Sequence, residues 1–186
     1  RDAQESRGLG DVYKRQSVKW APFNVGCKGM LPNNVGGYYN WGDASGKNID
    51  GEANPYDLPI QMKSIAGSSL DIAAMNWGRG WRMPTSEEFQ ELIDKCTWKM
   101  VNKRGEVPGY RVTGPSGKSI FLPFAGYRRG PAFFKQGVVG CYWSASPYTE
   151  ARQSAAYFLE MDVDVVSVSR GDFASTGYSV RPVLDK

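Results

Sequence analysis

The chain has 186 residues, with 23 Lys and Arg against 19 Asp and Glu, and it contains no His. This length suffices for one well-cored domain, and the scattered basic residues argue against a nucleic-acid partner, which needs a concentrated basic patch. The lack of His excludes Ser-His-Asp triads, His-ligated zinc and imidazole acid–base catalysis. No apolar run is long enough to span a bilayer.

Residues 1–16 show neither a helical nor a strand period, and they carry no secretion-signal pattern. They resemble translated library-adaptor sequence of the kind found at the ends of metagenomic reading frames. We therefore expect this segment to be non-native and the natural N-terminus to be missing. Residues 17–186 are expected to form a single domain.

The first part of that domain predicts two strands and a long loop. The first strand is expected over residues 19–24, at a sheet edge because Pro22 cannot donate a ladder hydrogen bond. An aromatic strand is expected over residues 35–43. Residues 44–67 are rich in Gly, Asn, Asp and Pro, which predicts a long ordered loop.

Two helices are predicted next. Ser68 or Ser69 is expected to cap a short helix over residues 71–75, which stops at Gly78. The second helix is expected over residues 86–96, where an apolar stripe recurs with helical spacing: Phe89, Leu92, Ile93 and Cys96.

The start of the second helix carries its own signal. Thr85 and Glu88 have the spacing of a capping box, in which each side chain accepts a hydrogen bond from a backbone N–H of the first turn. The apolar face offers no group that could take up a proton or bind a metal. This helix is therefore expected to be scaffold.

The rest of the chain predicts short strands. Alternating and β-branched segments are separated by turns, among them residues 114–117. The expected strands cover residues 97–101, 110–113, 119–123, 142–145, 155–161, 165–169 and 178–183. Together with the two helices they predict an α+β domain with a mostly antiparallel sheet.

One motif links the chain to a known family. From Trp77 the sequence follows the pattern W-G-x-x-W-R-M-P-T-x-x-E-F-x-x-L, which resembles the Fibrobacter succinogenes major paralogous domain family. Further matching segments occur in the family's order: Trp20–Gly26, Tyr38–Asp43, Ile120–Arg128, Gly140–Ser146 and Gly177–Val183. The resemblance covers roughly residues 18–184. It implies a C-type-lectin-like fold, with two helices packed on short strands, related to the formylglycine-generating enzyme superfamily.

Three alternating carboxylates raise the question of a metal. Glu160, Asp162 and Asp164 would share one face of a continued strand and could form a calcium site, or they could mark a solvated strand end. The motifs with which sugar-binding C-type lectins hold calcium, Glu-Pro-Asn and Trp-Asn-Asp, are absent. We expect no metal and no cofactor.

Arginines and cysteines allow more than one interpretation. Arg128 and Arg129 could clamp an anion or form structural ion pairs, whereas Arg181 is expected to pair inside the domain. Cys27 and Cys141 could form a disulfide, although an odd cysteine count argues against a disulfide framework.

Two polar segments near the C-terminus, over residues 147–154 and 167–176, are the candidates for function. Mixed polar side chains with an occasional aromatic are typical of an adaptable binding surface on a rigid scaffold, and also of ordinary surface loops. The expected binding residues are Tyr148, Arg152, Ser167, Ser169, Arg170, Asp172, Phe173, Ser175 and Thr176. Phe173 would be the aromatic anchor, with Arg170 and Asp172 as polar specifiers.

The family resemblance extends to the variable proteins of diversity-generating retroelements, in which template adenines, often within AAC codons, are randomised. Every residue from Ser167 to Thr176 can arise from such a codon, whereas Glu150, Gln153, Glu160 and Met161 cannot. The resemblance thus implies a cell-surface or extracellular domain that binds a protein or glycan without catalysis. Two alternatives remain open at this point: an oxidase that uses Cys141, and a structural surface or pilus-tip subunit.

Overall fold

The computed structural model describes residues 16–28, 34–48, 62–151 and 154–186. These ranges contain two helices, α1 (Ile72–Trp77) and α2 (Ser86–Lys95). They also contain eleven strands: β1 (Val18–Trp20), β2 (Trp81–Arg82), β3 (Thr97–Val101), β4 (Gly109–Thr113), β5 (Ser119–Pro123), β6 (Tyr127–Arg129), β7 (Ala132–Phe134), β8 (Gly140–Pro147), β9 (Ala155–Met161), β10 (Val166–Phe173) and β11 (Val183–Asp185). The domain is therefore α+β, as predicted. Within the described ranges, neither helix is long and apolar enough to cross a membrane.

Helix α2 follows the prediction to within one residue. The Thr85 hydroxyl accepts a hydrogen bond from the Glu88 backbone N–H at 3.3 Å, and the Glu88 carboxylate accepts one from the Thr85 N–H at 2.8 Å. This reciprocal pair is the predicted capping box. Of the predicted apolar stripe, Phe89 and Leu92 are fully buried, and the remaining two side chains are half-buried.

Helix α1 is capped by a residue that the sequence analysis did not select. One carboxylate oxygen of Asp71 accepts hydrogen bonds from the N–H groups of Ala73 and Ala74, and the other accepts from Gly67 and Met83. The prediction of a Ser68 or Ser69 cap is therefore wrong. Asp71 is the better cap because its carboxylate accepts hydrogen bonds from backbone N–H groups of the helix start and of two neighbouring segments at once. The helix ends at Gly78, as predicted.

The strands pair antiparallel in four small sheets. Their orders are β1-β11-β2, β3-β4-β5, β6-β7 and β10-β9-β8. β1 lies at a sheet edge, as predicted, although it is shorter than expected. The closing strand is displaced from residues 178–183 to Val183–Asp185, because Tyr178 and Ser179 form only isolated bridges to other segments.

The aromatic strand predicted over residues 35–43 is wrong. Over these residues only Tyr39 forms a β-bridge, and its partner Tyr178 lies outside the strands. Two residues further on, the Trp41 N–H donates to the Ala174 carbonyl at 2.8 Å. The segment thus bonds to separate points of the C-terminal region, and no ladder forms. The predicted loop over residues 44–67 lies partly outside the described residues, as does nearly all of segment 1–16.

The β8-β9-β10 sheet lies between two apolar clusters. Successive side chains of a strand point to opposite faces, so Tyr142 and Leu159 pack with Phe89 of α2, whereas Trp143 and Phe158 pack on the other side. Each fully buried side chain of this size contributes about 1.5–3 kcal/mol of hydrophobic stabilisation. The sheet is therefore held from both faces, and it fixes the positions of the strands that carry the candidate site.

Candidate functional site

The β9-β10 hairpin presents its polar side chains on the face away from α2. Val166 and Val168 pack toward the cluster beneath α2, so the alternating Ser167 and Ser169 point the opposite way. The Ser169 hydroxyl donates to the Glu160 carboxylate at 2.9 Å, and the two serine hydroxyls are 3.4 Å apart. β10 is longer than the predicted strand over residues 165–169, and it places both serines as a polar row.

A β-bulge interrupts β10 after this row. The register shifts between Ser169 and Asp172, which leaves Arg170 exposed and places Gly171 at a φ of +38°. A Cβ atom at position 171 would lie 2.3 Å from a ring carbon of Tyr148. The bulge thus depends on glycine, both for its backbone conformation and for the close approach of the ring.

Tyr148 is fixed by its surroundings. Besides contacting the bulge, its ring packs edge-on against Tyr157 at a centroid distance of 5.4 Å, and its hydroxyl donates to Glu150 at 3.1 Å. Its backbone N–H donates to the Ala155 carbonyl at 2.8 Å. The structure therefore brings Tyr148 next to the β10 residues with which the sequence analysis grouped it. Arg152, predicted with them, lies outside the described residues.

Asp172 is held in place by hydrogen bonds. Its carboxylate accepts from the Tyr178 hydroxyl at 2.5 Å and from the Phe173 N–H at 2.8 Å, and the Arg129 guanidinium lies 3.9 Å away. Burial, with the nearby Cys141 and Asp172, raises the pKa of Tyr178, so this hydroxyl keeps its proton and remains a donor. Asp172 is thus an oriented acceptor at the edge of the face.

Exposure changes sharply at the end of β10. Phe173 is 54% exposed, and Ser175 is half-buried. By contrast, Thr176 is only 4% exposed and Ala174 only 2% exposed. The expectation of an exposed run through Thr176 is therefore wrong at its end, because the chain turns inward there and Gly177 and Tyr178 bridge Arg128 and Tyr39.

The β6-β7 hairpin borders this face, and the sequence analysis missed its role. Phe133 and Phe134 are 55% and 42% exposed, and Phe134 stacks on Tyr127 with ring centroids 5.5 Å apart. Arg129 lies over the Tyr127 ring and approaches Asp172, which connects the hairpin to β10. The sequence signal that could have identified this hairpin is the adjacent pair Phe133 and Phe134, which follows Gly130 and Pro131 closely.

Arg128 and Arg129 do not form an anion clamp together. Arg128 is 4% exposed, and its guanidinium donates to Asn40 at 2.9 Å and to the Gly130 carbonyl at 2.7 Å. Arg129 points outward instead. Arg181 pairs inside the domain, as predicted, since it donates to Asn24 at 2.7 Å while fully buried.

Cys141 lies beneath the face, on β8. It is 4% exposed, and burial, reinforced by the charges of Glu160 and Asp172, raises the pKa of its thiol to about 12. Only about one thiol in a hundred thousand would be ionised at pH 7. All three cysteines are free thiols, so the Cys27–Cys141 disulfide considered above is not formed.

The acidic residues at the β9-β10 turn serve the backbone. Asp162 accepts hydrogen bonds from the N–H groups of Asp164 and Val165, both at 2.8 Å, which is how such a side chain stabilises a turn. Glu160 is engaged by Ser169. Within the part of the chain that the structure describes, no three His, Cys, Asp or Glu residues form a group that could hold a metal ion.

The β9-β10 hairpin offers the exposed ring of Phe173, the exposed cation of Arg170, the hydroxyl groups of the serine row and the oriented Asp172 carboxylate. The register places Asp172 on the strand face of the serines and Phe173 on the other face. These groups can bind a ligand by apolar contact and hydrogen bonding. Comparison of the chain with protein-family models, with curated proteins and with solved structures found no match in any of the three.

Proposed function

We propose that this chain is a non-enzymatic binding domain with a C-type-lectin-like fold, displayed on a bacterial cell surface or outside the cell. Its ligand would be a protein or a glycan, held on the β9-β10 hairpin. The observation that carries the proposal is the exposure of Phe173 and Arg170 at the end of β10, the strand that also carries the polar row of Ser167 and Ser169. Val166 and Val168 of the same strand pack against the core. A large exposed ring amid adaptable polar groups is typical of binding surfaces.

The fixed positions of residues around the hairpin favour a binding surface over an ordinary polar surface loop. Tyr148 is fixed by Tyr157 and the bulge, and Asp172 is fixed by Tyr178. A surface that is ordered before binding loses less conformational entropy when the ligand arrives. The β6-β7 hairpin enlarges this surface with the exposed rings of Phe133 and Phe134.

The burial of the family-like motif residues also supports the proposal. Met83 is 1% exposed, and Arg82 pairs with Glu88 at 2.6 Å, so this part of the pattern serves the scaffold. Trp143, from the matching segment Gly140–Ser146, is fully buried beneath the face. The family pattern therefore accounts for the scaffold and leaves the hairpin face open to variation.

The oxidase alternative is weaker on the same geometry. A catalytic thiol must be accessible and partly ionised, whereas Cys141 is buried and has a raised pKa. Cys27 and Cys96 are half-buried, and neither takes part in the face. We therefore retain ligand binding as the proposed function.

We further propose that the C-terminal segment is diversified by a retroelement. Sequencing the source locus and its siblings from the same sample tests this directly. The expected result is variation confined to adenine-containing template codons between residues 147 and 177, with a near-identical repeat and a reverse transcriptase nearby. A uniform segment without a repeat would contradict diversification and favour a fixed adhesin or a structural subunit.

A further inference from the structure

A cavity of about 430 Å³ lies between β1, α2 and the β4-β5 hairpin. Its lining shares no residue with the face described above. The apolar part of the wall is supplied by three strands of two sheets and by one helix: Val18, Trp20, Leu92, Val112 and Ile120. Sites for small molecules are typically apolar concavities of about 300–1,000 Å³ with a few placed polar groups.

The charged groups of the described wall are all cationic. Three lysines contribute to it, Lys19, Lys118 and Lys186, and the described lining contains no Asp or Glu. The Lys186 ammonium donates to the Gln16 carbonyl. Neither Lys19 nor Lys118 forms an ion pair with any described residue. Lys19, Lys118 and Lys186 are exposed. Lysine stems lie along apolar surface while their ammonium groups stay in water, so we place these charges at the mouth of the cavity.

We propose that this cavity binds a single-chain anionic amphiphile, such as a medium-chain carboxylate. The alkyl chain would bury apolar surface against Trp20, Leu92 and Ile120. The carboxylate would remain at the mouth, where Lys19 and Lys118 can donate charge-assisted hydrogen bonds. This site is independent of the face proposed above for the protein or glycan ligand.

Cys96 provides a built-in reporter of occupancy. Its half-buried thiol lines the cavity and accepts a hydrogen bond from the Gln16 side-chain amide at 3.1 Å. Cys27 is also a half-buried free thiol, but it lies outside the lining. The two thiols of the same molecule can therefore be compared under identical conditions.

The test measures alkylation of the full chain by iodoacetamide, with the modified cysteines quantified by peptide mass spectrometry. Decanoate at ten times its Kd is expected to slow Cys96 alkylation about tenfold, because only the unliganded fraction reacts. Alkylation of Cys27 should not change. Decyltrimethylammonium, which has the same chain but the opposite charge, should protect Cys96 far less. Absence of protection at Cys96, equal slowing at Cys27, or equal protection by the cationic amphiphile would each overturn the proposal.

Paired variants test the role of the lysines. Lys19→Gln with Lys118→Gln is expected to weaken decanoate binding about tenfold, since it removes two charge-assisted contacts. Lys63→Gln with Lys99→Gln is the matched control, because it changes the net charge equally at exposed positions outside the cavity. An equal loss in both double variants would show that only net charge matters, and unchanged affinity in the first would show that the rim lysines do not recognise the ligand. Either result would overturn the proposal.

Discussion

Two phenylalanines of the same hairpin differ in what they contribute. Phe173 is 54% exposed, whereas Phe158 is 8% exposed and packs between Trp143 and Tyr178. Phe173→Ala should change the free energy of unfolding by less than about 0.5 kcal/mol. Phe158→Ala should lower it by about 3–5 kcal/mol, because it leaves a cavity in the core. Denaturant titration measures both. A large loss in Phe173→Ala would mean that this ring is part of the core and is unavailable as an anchor.

Cys141 makes stability depend on pH at the alkaline end. Its pKa rises from the ordinary 9.0 to about 12 in the folded protein, so the folded state keeps the proton that the unfolded chain releases. The contribution is complete below about pH 9 and is lost as the pH rises toward 12, with a slope of at most about 1.4 kcal/mol per pH unit. Cys141→Ala should therefore lose less stability than the parent protein between pH 8 and pH 10. Denaturant titration of both proteins at both pH values measures the difference. Parallel profiles for parent and Cys141→Ala would contradict the raised pKa and strengthen the oxidase alternative.

At the scale of elements, the capping box of α2 should have a measurable effect. Thr85→Ala removes the acceptor for the Glu88 N–H and is expected to cost about 1 kcal/mol of unfolding free energy. Ser86→Ala is a matched control, because this neighbouring hydroxyl contacts only the exposed Glu87 carboxylate. Its effect should be below about 0.5 kcal/mol. Similar losses in the two variants, measured by denaturant titration, would mean that the cap itself contributes little.

The elements that the sequence predicted well are those specified by local signals. The capping box defines the start of α2, and alternation defines β9 at its observed bounds. Asp71 caps α1 through the local N–H groups of Ala73 and Ala74, and its second carboxylate oxygen also accepts hydrogen bonds from Gly67 and from the more distant Met83. The failed strand over residues 35–43 has aromatic residues typical of strands, but its hydrogen bonds go to separate distant segments. Propensity describes side chains, and it does not identify the backbone partner that a ladder requires.

The candidate face shows the same division. The polar composition of the segment, with its single aromatic residue, predicted an accessible surface. Ser167, Ser169, Arg170 and Phe173 are indeed partly or fully exposed to solvent. Thr176 is equally polar in sequence, yet it is buried where the chain turns inward. The β6-β7 hairpin was missed as part of the face because its contribution depends on the packing of Tyr127 against Tyr178. The adjacent Phe133 and Phe134 are visible in the sequence, but the position of their hairpin beside β10 is not.

At the scale of the whole molecule, strand β10 of the β8-β9-β10 sheet combines positions where the amino acid can vary with positions where it is constrained by the fold. Ser167, Ser169, Arg170, Phe173 and Ser175 are at least partly exposed. The intervening positions are constrained for different reasons: Gly171 by its φ and the Tyr148 ring, Asp172 by the Tyr178 hydrogen bond, and Ala174 and Thr176 by burial. Tolerance to substitution should therefore follow this division, even though all nine residues lie within the ten-residue segment 167–176.

Two displayed libraries can test this division, one randomised at the five partly exposed positions and the other at the four constrained ones. Most members of the first should remain folded, because surface substitutions usually change stability by less than about 0.5 kcal/mol. Most members of the second should unfold, since they introduce strain at a positive φ, an unsatisfied buried hydroxyl or an overfilled core. Survival after a protease pulse, counted by sequencing, measures the folded fraction of each library. Equal survival would mean that the hairpin does not depend on these contacts. The separation between a diversifiable face and a fixed support, on which the proposed function rests, would then fail.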